Sequence, residues 1–161
     1  SAPEAGGGDV PADLPEHELV DASNGCRIFT QQFKIYFKHT DFYGDIHPYN
    51  FAEWTSHVRE EFFSKNSRDF RDIIHSQISM MTNKLSILVY EECLFADEIE
   101  ARLTVTKIKK VSFDVKIDFF NKRSGAVAAH SRHTLVFVNP NEGKFAPVPQ
   151  SIIDSIEPYK E

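Results

Sequence analysis

The chain is poor in cysteine, methionine and tryptophan, with two, two and one in 161 residues. Two cysteines, Cys26 and Cys93, cannot staple a small secreted scaffold, so both read as reduced thiols of a cytoplasmic protein. Cys93 lies in an apolar stretch and reads as a buried thiol rather than a nucleophile. No apolar run approaches the roughly 20 residues needed to span a bilayer. No basic start followed by an apolar stretch marks a secretion signal. Positive charge is not in excess: 18 Lys and Arg against 24 Asp and Glu give −6. That balance argues against nonspecific binding of nucleic acid or of an anionic membrane by the domain as a whole. His47, His57, His75, His130 and His133 do not fall at zinc-ligand spacing, and cysteines to complete a set are lacking, so neither metal nor cofactor is expected. Gly44 stands alone in its loop and marks a turn, not a phosphate cradle.

What is present is a core. Hydrophobic residues make up 41% of the chain, including 14 phenylalanines, which is enough for one globular domain. Residues 1–25 are rich in Ala, Gly and Pro and read as a flexible tail or linker, leaving residues 26–161 as the domain. Phe29, Gln31, Phe33, Ile35 and Phe37 alternate with polar partners, the period of a half-buried strand. A turn follows over Thr40–Asp45. Pro48 then stands where a first helical residue belongs, since its missing N–H costs nothing there. Phe51, Trp54, Thr55, Val58 and Phe62 share one arc at helical spacing, with Arg59 on its flank. Residues 64–75 read as a loop or short helix. Ile78–Met81, Leu85–Tyr90, Ile99–Val105, Val111–Phe119 and Ala126–Val138 read as strands, with a hairpin turn at Asn121–Gly125. A short amphipathic end carries Ile152, Ile153 and Ile156. Strand, long aromatic helix, then about five antiparallel strands is an α+β arrangement with the helix wrapped by the sheet.

The stretch from Asp41 to Arg59 concentrates the chemistry. It puts one carboxylate beside a helix N-terminus and one guanidinium three turns along that helix. Asp41 can act as a general base or a nucleophile, or it can make an Asx-turn or cap the helix. Arg59 can orient a carboxylate or bind a developing oxyanion, or pair with Glu60.

These residues resemble the hotdog-fold acyl thioesterases of the 4-hydroxybenzoyl-CoA thioesterase type. The resemblance spans residues 28–157. It is carried by Phe37-Lys-His-Thr-Asp41-Phe-Tyr-Gly44, Asn50-Phe-Ala-Glu-Trp54, Arg59-Glu60, Ala96-Asp97-Glu98-Ile99 and Leu135-Val-Phe-Val138. It is nearest to the small thioesterases of enediyne and related polyketide pathways, although Asp41 stands where Asn is frequent in that group. The resemblance implies a hotdog fold: one long central helix wrapped by a five- to six-stranded antiparallel sheet. It implies hydrolysis of an acyl thioester, carried by acyl carrier protein or coenzyme A. It also implies a homodimer or dimer of dimers joined edge to edge, with active sites at the subunit interface. Asp41, Arg59 and Tyr49 are the expected catalytic residues, and Gly44, His47, Phe51, Trp54 and Phe62 the expected substrate contacts.

One position departs from that pattern. A helix N-terminus offers unpaired N–H groups to an oxyanion, but the expected donor position falls on Pro48, which has none. The Tyr49 amide, the Tyr49 hydroxyl, His47 and Arg59 are the substitutes. His39 can tune Asp41 by titrating, or simply end the strand. Lys107, Lys109, Lys110, Lys122 and Arg123 form the most basic region. They read either as a docking surface for an acidic carrier protein or as charges that protect an edge. A non-catalytic or dehydratase-type hotdog module that binds carrier-protein intermediates is the alternative function.

Overall fold

A computed structural model of the chain describes residues 17–41 and 46–161. Within them, β1 (Glu18–Val20) and β2 (Arg27–Lys34) precede the long helix α1 (Tyr49–Asn66) and a short helix α2 (Phe70–Ile74). There follow β3 (Ser79–Val89), β4 (Glu98–Ile108), β5 (Ser112–Asn121), β6 (Ala126–Asn139), β7 (Lys144–Phe145) and a terminal helix α3 (Gln150–Ile156). The strands form one antiparallel sheet in the order β1-β2-β4-β5-β6-β3, and β7 pairs with β6. This is the hotdog arrangement.

The apolar arc of α1 lies against the sheet. Phe51, Trp54, Thr55, Val58, Phe62 and Phe63 are all buried. Opposite them, Ile99, Ala101, Leu103 and Val105 of β4 and Phe113, Val115, Ile117 and Phe119 of β5 point inward. Phe62 meets Phe29 and Tyr159 edge-on at 5.5 and 4.8 Å, and Phe51 meets Phe119 at 5.3 Å. Each fully buried aromatic of this kind contributes about 1.5–3 kcal/mol relative to an exposed one. Ile152 and Ile156 of α3 join the same core.

Four sequence expectations are corrected here. The alternation before the turn ends at Ile35, which is fully buried; Phe37 is 75% exposed, because Phe37–His39 form a 3-10 turn. The Tyr36 amide donates to His39 Nδ1 (3.0 Å), which closes that turn. The tail does not extend to residue 25, since Glu18–Val20 pairs with Arg27–Phe29. Ile78–Met81 and Leu85–Tyr90 are not separate strands but one β3, with a bulge between Thr82 and Lys84. The basic residues do not form one region: Lys107, Lys109 and Lys110 precede β5, whereas Lys122 and Arg123 follow it at the far end. Arg123 is also committed to the buried Asp97, at 2.8 Å from its Nε.

At the other edge of the sheet, β3 has no strand beyond it among the described residues. Leu85 and Val89 pair with the inward-facing His133 and Ala129, so they face the helix side. They remain 44% and 45% exposed, because α1 does not reach over them.

Candidate active site

The turn that carries Asp41 is fastened to the first turn of α1. Thr40 bridges to Ile46 across it, and the His47 amide donates to the His39 carbonyl (2.9 Å). Asn50 Nδ2 donates to the same carbonyl (2.8 Å) and to that of His47 (3.0 Å). Asp41 is exposed at the end of this clamp. Gly44, an expected substrate contact, lies outside the described residues.

The amides at the helix start are in use. Pro48 is the N-cap, and the Tyr49 amide donates to His47 Nδ1 at 3.2 Å. Asn50 and Phe51 donate to the carbonyls of His47 and Pro48 (2.9 and 3.1 Å). The Tyr49 hydroxyl donates to Glu53 (2.9 Å), a carboxylate that also raises the phenol's pKa. Of these bonds, the Tyr49 amide's is exposed and long, so it is the one an incoming carbonyl oxygen displaces most easily.

Arg59 stands nine residues beyond Asn50, about 13 Å along the helix axis. Its side chain is only 16% exposed; Nη1 donates to Thr82 Oγ1 (2.7 Å), and Nη2 lies 3.8 Å from the exposed Glu60. Burial lowers its pKa, partly offset by Glu60. Beneath it lies His133 of β6, a residue that sequence reasoning set aside. Burial and the Arg59 charge push this imidazole down to about 4, against the opposite pull of Asp114.

Two connected grooves flank the helix start. The larger, about 760 Å³, is lined by Phe33, Tyr36, His39, Trp54 and His57, with Lys34, Lys38 and Lys122 at its rim. The smaller, about 410 Å³, shares Lys38, His39 and Glu53 and adds Thr40, His47, Tyr49 and Asn50. Trp54 stacks on Phe33 at 4.9 Å and meets the His39 ring edge-on. Burial, then repulsion from Lys38, lowers the pKa of His39, so its neutral ring faces the groove. A third recess, about 330 Å³, opens on the other side of the helix start between Ile46, Pro48, Val89 and Tyr90. Trp54 and His47 thus line grooves, whereas Phe51 and Phe62 lie in the core. The Cys93 thiol is buried and pushed up to about 12, first by desolvation and then by Asp97 and Glu91, the environment of an inert thiol.

Thr82 was not singled out from the sequence either, and Asn50 entered only as the first residue of a resemblance motif, with no role of its own. A signal for Asn50 existed: it is a polar residue at the second position of a helix whose neighbours on that side are aromatic.

A family model described as thioesterase-like superfamily matches residues 21–156. No match is found among curated protein sequences. Among solved structures, the chain is similar to a dynemicin thioesterase studied with bound polyene, at 17% identity and a TM-score of 0.77, over 83% of this chain and 98% of that one. It is also similar to a 1,4-dihydroxy-2-naphthoyl-CoA thioesterase from Synechocystis (22% identity, TM-score 0.74, 80% and 95% covered). A third is a protein from Staphylococcus aureus in complex with CoA (14% identity, TM-score 0.75, 82% and 83% covered). At these identities the likeness carries the fold.

Proposed function

The chain belongs to the thioesterase-like superfamily, and on that premise we propose that it hydrolyses an acyl thioester at the turn before α1. Asp41 either activates water or attacks the thioester carbonyl itself. The observation that supports this reading is the Asn50 clamp, which ties the His39 and His47 carbonyls on either side of the Asp41 turn to the helix start, beside the groove that Thr40 and Tyr49 line. The thioester carbonyl takes the Tyr49 amide from His47, and the positive end of α1 favours the oxyanion that forms. The pantetheine arm of a carrier protein or of coenzyme A lies in the larger groove, its phosphate near Lys34, Lys38 and Lys122. The working unit is a homodimer, or a dimer of dimers, joined at the bare edge of β3.

Thiol release from a panel of acyl-CoA and acyl-carrier-protein thioesters tests the reaction. Asp41→Ala is expected to lower kcat by about a hundredfold or more. An inactive wild type on both carriers refutes the reaction class, whereas a fully active Asp41→Ala refutes only the assigned role. The alternative, a non-catalytic or dehydratase-type module, is favoured by Pro48 and by the partnered amides behind it. It predicts acyl-thioester binding without thiol release.

A further inference from the structure

Lys38, His39 and Glu53 line both grooves at the helix start, so they stand where the two join. His39 is fixed there. Its carbonyl accepts from Asn50 Nδ2 (2.8 Å) and from the His47 amide (2.9 Å). Its ring meets Trp54 edge-on at 5.5 Å, and its Nδ1 accepts from the Tyr36 amide (3.0 Å). An Nδ1 that accepts leaves the neutral ring's proton on Nε2. Burial, then the charge of Lys38, keeps the ring neutral, with Glu53 pulling the other way. Among the described residues Nε2 has no partner and is not sealed from solvent, so its N–H opens to the groove that the residue lines.

Glu53 faces the same junction from the helix. It is exposed, and one oxygen of its carboxylate accepts from the Tyr49 hydroxyl (2.9 Å), while the other has no partner among the described residues. It is near enough to act on the His39 charge. The turn thus offers the junction a fixed donor, and the helix offers it an acceptor.

The pantetheine arm carries the matching pair of groups. In its first amide from the sulfur, the carbonyl accepts and the N–H donates, and the two point to opposite sides of the arm. That carbonyl lies five bonds from the thioester carbon, roughly 6–7 Å when extended. With the thioester carbonyl at the Tyr49 amide, the distance fits, because the His39 ring stands against Trp54, five residues and about 7.5 Å farther along α1.

We propose that His39 Nε2–H and the Glu53 carboxylate clamp this amide, and so set the thioester over the Asp41 turn. The proposal rests on the hydrolase reading and names what the site recognises in the thiol half of its substrate: a secondary amide, common to coenzyme A and to a carrier protein's arm. A ketone in that place leaves Glu53 unmet, and a methylene chain leaves both residues unmet. His39 and Glu53 are specificity residues here.

The test follows hydrolysis of three hexanoyl thioesters by the intact chain. Their thiols are N-acetylcysteamine, 5-mercaptopentan-2-one, which keeps the carbonyl but not the N–H, and pentanethiol, which has neither. Each rate is divided by that of the same thioester with hydroxide. Wild type is expected to favour the amide over the alkyl thioester by about tenfold or more in kcat/KM, the order at which a site built for polar groups begins to reject their absence. His39→Phe brings the ketone-to-alkyl ratio towards one, and His39→Gln, which restores a donor, recovers part of it. Glu53→Leu brings the amide-to-ketone ratio towards one. A merely structural role lowers all three substrates alike and leaves these ratios unchanged, which overturns the proposal, as does a wild type without preference. Calorimetric titration with two uncleavable thioethers, S-hexyl-N-acetylcysteamine and its ketone isostere, separates it from the hydrolase reading. Tighter binding of the amide, lost in Glu53→Leu, and weaker binding of both in His39→Phe than in His39→Gln uphold the clamp even if no thioester is cleaved. Equal binding of the two by wild type overturns it even if hydrolysis is confirmed.

Discussion

At His133, burial and the Arg59 guanidinium oppose the proton, and Asp114 only partly offsets them, so the folded-state pKa falls to about 4 from an ordinary 6.5. Between those values the unfolded chain binds the proton and the native chain does not, so stability rises with pH. The contribution is complete above pH 6.5 and is lost as pH falls towards 4. Its full size is roughly 3 kcal/mol, since each tenfold weakening of proton binding is worth about 1.36 kcal/mol. Urea unfolding of wild type and His133→Leu, at one fixed protein concentration, checks this. The wild-type curve should lose stability between pH 6.5 and 5 faster than the variant, and parallel curves refute it. Asp41 and His133 differ in how they could be found. Asp41 stands beside its turn and helix in the sequence itself. His133 meets Arg59 only because a helix and a strand rise by equal lengths from the Thr55–Ser131 contact, and no local pattern records that.

The helix α1 is where sequence and structure agree best, because the five positions that helical spacing puts on one arc, Phe51, Trp54, Thr55, Val58 and Phe62, are all buried and fit no other period. Its start is set by Pro48, and its hold on the Asp41 turn by Asn50. Asn50→Ala should cost about 1 kcal/mol of stability, since the two carbonyls it serves keep access to other donors. The larger effect should fall on kcat, through a loosened Asp41 turn. Asn50→Asp should be worse on both counts, because it turns a carboxylate towards two carbonyl oxygens. Circular-dichroism melts with kcat and KM for both variants test the order, and an Asn50→Asp protein as active as wild type refutes the clamp. The edges of elements were less legible. Thr82-Asn83-Lys84 looks like a break in β3 because a bulge interrupts period two without ending the strand. Phe37 fits the alternation of β2, yet it points outward and stacks on Phe95 at 4.2 Å, because the 3-10 turn rotates it out of the sheet.

Across the whole molecule, the sheet has two unlike ends. The short β1 covers one, whereas the eleven-residue β3 closes the other with Met81, Leu85, Leu88, Val89 and Tyr90 all exposed. A long apolar edge of this kind invites another strand, and a second copy laid antiparallel along it extends the sheet and covers Leu85 and Val89. The same act covers the helix-facing side chains of Leu85, Ile87 and Val89, so in the proposed dimer, assembly would close that face of the sheet. Light scattering at micromolar concentration should therefore give a dimer or tetramer for wild type. Leu85→Glu with Leu88→Glu places like charges along both copies of the edge and desolvates them on association, so the variant should dissociate by at least about a hundredfold. Its far-ultraviolet spectrum should stay native, since neither side chain belongs to the core. If the second copy completes the acyl site, thiol release should fall with the dimer and recover as protein concentration is raised. A monomeric wild type, or a monomeric variant with full activity, refutes that coupling.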